Sequence, residues 1–101
     1  MNMQQMLAQA QKMQRELRKA KDALYEKEFT LSKGGLVTVV MYGNKEVKSI
    51  DIEKDALEAD NKEMIEETLA ACLNELIKQI SDEEDAIEER ITGQKGMGMG
   101  F

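Results

Sequence analysis

The first quarter of the chain carries an apolar residue at every third or fourth position. A spacing that alternates between three and four residues places these side chains along one side of an α-helix. Residues 2–24 contain neither glycine nor a β-branched residue, which predicts one helix with an apolar seam about 36 Å long. The seam consists of Met3, Met6, Ala10, Met13, Leu17, Ala20 and Leu24. Such a seam requires a packing partner.

The opposite side of the same helix is basic. Residues 2–24 hold five basic residues against two acidic ones, in a chain whose formal net charge is −6. An ordinary solvated surface is one interpretation, but such a surface usually mixes both signs. We therefore expect this side to contact a polyanion. Lys12, Arg15, Arg18 and Lys19 lie on this side, and together with Lys21 of the same helix they are called here the basic stripe.

The period of the pattern then changes to that of β-strands. Apart from Lys27, residues 25–32 alternate apolar with polar side chains. Residues 36–42 are apolar on both faces, and residues 46–53 contain three apolar members. Glycines at residues 34–35 and at residue 43 supply the turns. We expect a three-stranded antiparallel meander whose central strand is covered on both faces.

A second helical region follows the meander. Asp55 or Asp60 is expected to cap it. Apolar residues at helical spacing run from Ile65 to Ile91, and charges near residues 81–85 interrupt this face, so two helical pieces are predicted. Gly93 is expected to end the helix. The predicted fold class is α+β, with a long N-terminal helix, the meander and a C-terminal helix.

The length of 101 residues is that of one domain. We expect this domain to span residues 1–92, followed by a flexible Gly/Met tail over residues 93–101. A sheet about 25 Å across is shorter than the first helix, and two long helices are too few to cover it, so a homodimer is predicted. The expected dimer interface lies on the central strand and consists of Leu36, Val37, Val39, Val40, Met41 and Tyr42.

Composition argues against catalysis. The chain has no histidine, which removes the most common general base, and its single cysteine, Cys72, falls within an apolar stripe. The run at residues 82–85 lacks the alternating ligands and the glycine of a calcium loop. We therefore expect no enzyme activity, catalytic residue, metal or cofactor. No segment approaches the roughly 20 apolar residues of a membrane span, so a cytoplasmic protein with no membrane partner is predicted.

The second half of the chain is acidic. From residue 51 onward, fifteen acidic residues are opposed by five basic ones. This surface would repel DNA and would weaken the affinity of the basic stripe. A solvating role is the simpler interpretation. The alternative function is an acidic adaptor, whose C-terminal helix would bind a DNA-processing or RNA-associated protein.

Several segments together resemble the YbaB/EbfC family of small bacterial nucleoid-associated proteins. They are AQKMQ at residues 10–14, GLVTV at residues 35–39, EVKSI at residues 46–50, and the second-helix segment from Glu63 to Asn74. The order of helix, meander, acidic helix and glycine-rich tail is also similar. The chain departs from the family at residues 53–55, where the family usually has a proline.

The resemblance implies a homodimer whose N-terminal helices project as arms that straddle double-stranded DNA. It implies a nucleoid location, a role in nucleoid organisation or gene regulation, and a DNA-binding and dimerisation role for residues 1–92. The basic stripe would then supply phosphate contacts with little base recognition. Of these residues, Lys12 lies inside a family motif, and the other four are placed by the helical wheel.

Overall fold

The computed structural model describes residues 2–93. The elements follow one another as helix α1, strands β1, β2 and β3, and helix α2, and the three strands form one antiparallel sheet in chain order. Their bounds are Met3–Glu26, Glu28–Lys33, Val37–Tyr42, Val47–Ile52 and Lys62–Thr92. The α+β prediction is confirmed. Apart from Gly93, the predicted tail lies outside the described residues.

Helix α1 begins at a reciprocal cap. The side chain of Asn2 accepts a hydrogen bond from the backbone N–H of Gln5 (2.8 Å), and the side chain of Gln5 accepts one from the backbone N–H of Asn2 (3.3 Å). The helix ends at Glu26, so the prediction that Tyr25 opens a strand is wrong. The sheet starts two residues later, after Lys27, whose carbonyl accepts from the N–H of Gly43 (2.8 Å).

The two hairpin turns form where the glycines predicted them. Gly34 and Gly35 have φ values of 59° and 63°, and two successive positive φ values produce a turn that matches the twist of paired strands. In the second turn, Lys45 adopts a φ of 72°, and the Asn44 side chain accepts from the N–H of Glu46 (2.8 Å). These turns fix the register in which Val39 pairs with Leu31 and Ile50.

Helix α2 differs from its prediction at its start and in its continuity. Two short 3₁₀ helices, Lys54–Ala56 and Ala59–Asn61, precede it, and its N-cap is Asn61 rather than Asp55 or Asp60. It then runs as one helix, because carboxylates near residue 83 lie beside the apolar face and do not interrupt the backbone hydrogen bonds. Gly93, at φ 77°, ends the helix as predicted.

The core lies between α2 and one face of the sheet. Helix α2 contributes the buried residues Cys72, Leu76 and Ile80, and the sheet contributes Phe29 and alternate residues of β2. Those β2 residues are at most 1% exposed within one chain and are therefore unavailable to a second copy. Helix α2 thus covers half of the predicted dimer interface within one chain. The residues covered are Val37, Val39 and Met41.

The other face of the sheet has no helix over it. Val40 and Tyr42 are partly exposed there, and the hydroxyls of Ser32 and Thr38 share a hydrogen bond of 2.7 Å. Leu36, in the first turn, packs against the core instead. We predicted that both faces of the central strand are covered. Within a single chain this is confirmed for the inner face, which α2 covers, and not for the other face.

Strand β3 leaves part of the inner face uncovered. Its pairing with β2 places Ile50 beside Val39 and Val47 beside Met41, on the face that α2 occupies. Val39 and Met41 are buried, yet Ile50 and Val47 remain 45% and 40% exposed. Helix α2 therefore covers β1 and β2 and leaves an apolar strip on β3.

Gly43 provides a stability test of the junction between α1 and the second hairpin. A Cβ atom at this position would overlap the carbonyl group of Leu24, lying 2.6 Å from its carbon atom. We expect Gly43→Ala to lower the free energy of unfolding by about 3 kcal/mol, as overpacking of a rigid backbone contact does. Urea unfolding at a fixed protein concentration measures this loss.

The matched control is Gly34→Ala. Gly34 has a positive φ but open space around it, so its substitution carries only backbone strain, about 1 kcal/mol. Equal losses for the two variants would contradict the close approach at Gly43.

Candidate nucleic-acid interface

Helix α1 has a docked half and a projecting half. Leu17, Ala20 and Leu24 of the apolar seam pack in the core, whereas residues 2–16 are all exposed. Met3 and Met6 are 77% and 57% exposed, so residues 2–93 provide little cover for the first part of the seam. The helix thus forms an arm, in a fold whose extents are 69 × 21 × 17 Å.

Four cations of the basic stripe are exposed on α1: Lys12, Arg15, Arg18 and Lys19. At about 100° per residue, all four lie at least about 120° from the centre of the apolar seam. Lys12 has an ion-pair partner on the same helix, Glu16, at 4.0 Å, and both of these side chains are well exposed. Within residues 2–93, Arg15, Arg18 and Lys19 form no ion pair. The arm therefore presents positive charge that the chain does not neutralise.

Lys21, the fifth residue of the basic stripe, occupies a different place. Its Nζ lies 2.6 Å from Oε1 of Glu88 and 4.0 Å from Oε2 of Glu84, and its side chain is only 17% exposed. The physical reason is its helical position, about 60° from the centre of the seam, which turns it toward α2. Lys21 is thus engaged within the chain, and we exclude it from the phosphate contacts proposed below.

The partner of Lys21 is the most buried charged side chain of the described residues. Glu88 is 1% exposed. Burial opposes the charge on Lys21, but the hydrogen bond and the charge of Glu88, assisted by Glu84, raise the pKa of Lys21 above its ordinary value. Lys21 therefore remains protonated throughout the neutral range.

Two more polar contacts join α1 to α2. The Tyr25 hydroxyl donates to Oε2 of Glu84 (2.9 Å), and Nζ of Lys27 lies 2.8 Å from Oε1 of Glu83. Burial and the hydrogen bond to Glu84 raise the pKa of Tyr25, so its hydroxyl keeps the donated proton. Sequence reasoning had treated Glu83 and Glu84 as part of a solvated acidic surface. Glu83 and Glu84 lie beside the apolar stripe of α2 in the helical pattern, and this position could have indicated that they contact α1.

Outside α1, most lysines of the described residues are neutralised locally. Lys33, Lys48, Lys62 and Lys78 each lie within 3.0 Å of a carboxylate oxygen. The excess of acidic residues on α2 and around β3 leaves the body of the protein negative. Positive potential is therefore concentrated on the projecting helix.

Other chemical sites are missing from residues 2–93. This range contains no group of three or more side chains suited to a metal ion. Cys72 is buried, and burial raises the pKa of its thiol, which keeps it protonated and unreactive. None of the helices in this range has the length and apolar character that crossing a membrane requires.

Comparison with known proteins identifies the family. Residues 1–96 match the model of the YbaB/EbfC DNA-binding family. A nucleoid-associated protein of Clostridium novyi (strain NT) is 42% identical over 99 residues, covering 96% of this chain and 86% of the relative. A nucleoid-associated protein of Mycoplasmopsis pulmonis is 39% identical over 95 residues, covering 94% of each. One from Acetivibrio thermocellus is 35% identical over 96 residues, covering 94% of this chain and 85% of the relative. The chain therefore belongs to the YbaB/EbfC DNA-binding family.

Proposed function

We propose that this protein is a homodimer that binds double-stranded DNA through backbone phosphates, with low sequence specificity, and acts at the bacterial nucleoid in the cytoplasm in nucleoid organisation or gene regulation. The observation that carries the proposal is the set of exposed cations on a projecting helix: Lys12, Arg15, Arg18 and Lys19. Membership of a DNA-binding family supports DNA as the polyanion.

The residue types explain both the binding and its low specificity. Arg and Lys side chains form charge-assisted hydrogen bonds with phosphate oxygens, and they release counterions from the duplex. Phosphate contacts fix position but carry no base sequence. A single helical surface with four long cationic side chains therefore favours attachment to many sequences over recognition of one.

The acidic body contributes to the same mechanism. The carboxylates of α2 repel DNA, so contact is confined to the arm. Of the exposed cations there, Lys12 has an ion-pair partner, the exposed Glu16, and the others form no ion pair within residues 2–93. The net charge of −6 also predicts modest affinity that falls with salt.

We propose that the second copy packs on the apolar strip of β3. Ile50 and Val47 are exposed on the inner face of the sheet, and Ile52 beside them is partly exposed. An isologous dimer places the same patch of each copy in contact, and an uncharged strip is compatible with itself. Of the interface predicted from sequence, Val40 and Tyr42 lie on the opposite face of the sheet and Leu36 packs against the core, so none of the three belongs to the surface proposed here. Dimerisation would double the number of exposed cations.

The acidic-adaptor alternative has less support. Three carboxylates of the C-terminal helix, Glu83, Glu84 and Glu88, already contact side chains of α1 or of Lys27, which follows it. An adaptor surface would require these groups to be available. DNA binding by the arm uses groups that are available.

A salt titration tests the phosphate mechanism. If about 4 to 6 phosphates are neutralised per dimer, the logarithm of the association constant falls against the logarithm of salt concentration with a slope of about −4 to −5. Gel-shift or anisotropy measurements with two duplexes of unrelated sequence should give similar slopes and affinities. Binding that does not depend on salt, or no binding at about 50 mM salt, would contradict the proposal.

Neutralising the arm tests the choice of surface. The variant Lys12→Gln, Arg15→Gln, Arg18→Gln and Lys19→Gln keeps good helix formers, so we expect an intact fold and at least about a hundredfold loss of DNA affinity.

The control neutralises four cations elsewhere. Lys54→Gln, Lys62→Gln, Lys78→Gln and Arg90→Gln change the net charge by the same amount. We expect an affinity within about fivefold of the original protein, because only long-range repulsion changes. Equal losses in the two variants would show that net charge, and not the arm, determines binding.

The dimer surface is tested by Ile50→Asp. A charge in an apolar interface is strongly unfavourable, so we expect the mass in dilute solution to fall from about twice the 11.4 kDa protomer to a single protomer. Sedimentation or light scattering measures this mass. The control is Ser49→Asp, whose side chain lies on the opposite face of the same strand, beside Val40. A dimer that persists in Ile50→Asp would exclude the β3 strip as the interface.

A further inference from the structure

The contacts between α1 and α2 form an ordered polar series. Lys21 contacts Glu88, Tyr25 contacts Glu84, and Lys27 contacts Glu83, at 2.6, 2.9 and 2.8 Å between the polar atoms. Residue numbers rise along α1 as they fall along α2, so the two helices run antiparallel at this junction. We call these three contacts the brace.

The contact of Lys21 with Glu88, at one end of the brace, is costly to build. Glu88 is 1% exposed, and transfer of a carboxylate from water into a protein interior is unfavourable unless a partner compensates it. Apolar residues of similar size would often stabilise such a position as well or better. A buried ion pair therefore indicates selection of one particular arrangement more than it indicates added stability.

The arrangement that the brace selects is the direction of the arm. Apolar packing of Leu17, Ala20 and Leu24 holds α1 against the core, but apolar contacts are not directional. The buried ion pair of Lys21 with Glu88 and the hydrogen bond of Tyr25 to Glu84 join two successive turns of α1 to α2, and together they restrict the rotation and the tilt of the helix.

A small change in the tilt of α1 moves its exposed cations by a large distance. Lys12 lies about 13 Å along the helix axis from Lys21, so a tilt of about 10° moves it by about 2 Å. A shift of that size breaks a hydrogen bond to a fixed phosphate. Residues 2–16 are exposed throughout, so the chain offers little contact that would hold the arm further out.

We propose that Glu88 is a positioning residue for DNA binding: through Lys21, and with Glu84 and Glu83 beside it, it sets the angle at which α1 presents its exposed cations. Glu88 touches no DNA in this arrangement. The inference rests on the proposed function, because it concerns how the arm binds, and it adds a residue on the acidic helix to the DNA-binding mechanism.

The test compares Glu88→Gln with Glu89→Gln. Both remove one negative charge, but Glu89 is exposed and forms no ion pair within the described residues. By electrostatics alone, both variants bind DNA equally well or slightly more tightly than the original protein. We expect Glu89→Gln to stay within about twofold of the original affinity and Glu88→Gln to bind about 3- to 10-fold more weakly, with a shallower salt slope.

The salt slope separates positioning from a purely structural role. Partial unfolding lowers the active fraction but leaves the slope of the folded molecules unchanged, whereas a misdirected arm contacts fewer phosphates. Tighter binding by Glu88→Gln than by Glu89→Gln would overturn the proposal, because it would mean that Glu88 only neutralises Lys21. An affinity and a slope equal to those of Glu89→Gln would also overturn it.

Amide hydrogen exchange of the free protein provides a readout without DNA. We expect the peptides over residues 17–26 to exchange about tenfold faster in Glu88→Gln and at the original rate in Glu89→Gln. Unchanged exchange rates in both variants would overturn the proposed positioning role of the brace, even if DNA binding is confirmed. Faster exchange in a protein that does not bind DNA would support the brace and contradict the proposed function.

A second variant covers the case in which Glu88→Gln fails to fold. Tyr25→Phe removes the hydroxyl contact with Glu84 and keeps the ring, at a side chain that is 37% exposed. We expect Tyr25→Phe to change the affinity, the salt slope and the exchange rate in the same directions as Glu88→Gln but by less, with about twofold weaker DNA binding. No change in the affinity, the salt slope or the exchange of residues 17–26 would overturn the proposal.

Discussion

The packing of α2 on one face of the sheet is the constraint on which the rest of this structure depends. Cys72, Leu76 and Ile80 cover Val39 and its neighbours, and this contact forms most of the buried core. A helix is too narrow to cover three strands, so β3 keeps an apolar strip. The other long helix of residues 2–93, α1, docks by its second half and leaves its first half exposed.

The separation of charge follows from that arrangement. Helix α2 is long and acidic, and where α1 crosses it the carboxylates take up Lys21 and Lys27. The cations further out on α1 have no acidic neighbour on α2 and stay exposed. A chain with a net charge of −6 can thus present a positive surface, because the carboxylates of α2 pair with the cations near the junction and do not reach those further out on α1. The same acidic helix serves as a counterion at the junction and repels polyanions elsewhere.

Local patterns predicted the elements well and their ends less well. The seam spacing identified α1, and the glycines at residues 34–35 identified the first hairpin turn, because both depend on neighbours in sequence. The predicted start of α2 was wrong because Asn61 lies at the end of a 3₁₀ turn, where its side-chain amide donates a hydrogen bond to the carbonyl of Ala56 (2.9 Å). The sequence pattern placed Tyr25 in a strand, because an alternation of only a few residues fits the end of a helix equally well. In the structure Tyr25 belongs to α1, and its hydroxyl contacts Glu84.

The sequence by itself determined the periodicities, the turns, the fold class and the presence of a basic helix in an acidic chain, since each follows from residue type and spacing. Tertiary structure alone decided which of those residues are available. It buried Val37, Val39 and Met41 under α2, exposed Ile50, and turned Lys21 toward Glu88. Burial and ion pairing depend on which elements meet and at what angle, and that angle depends on contacts between residues far apart in the sequence, such as Tyr25 and Glu84, which are 59 positions apart.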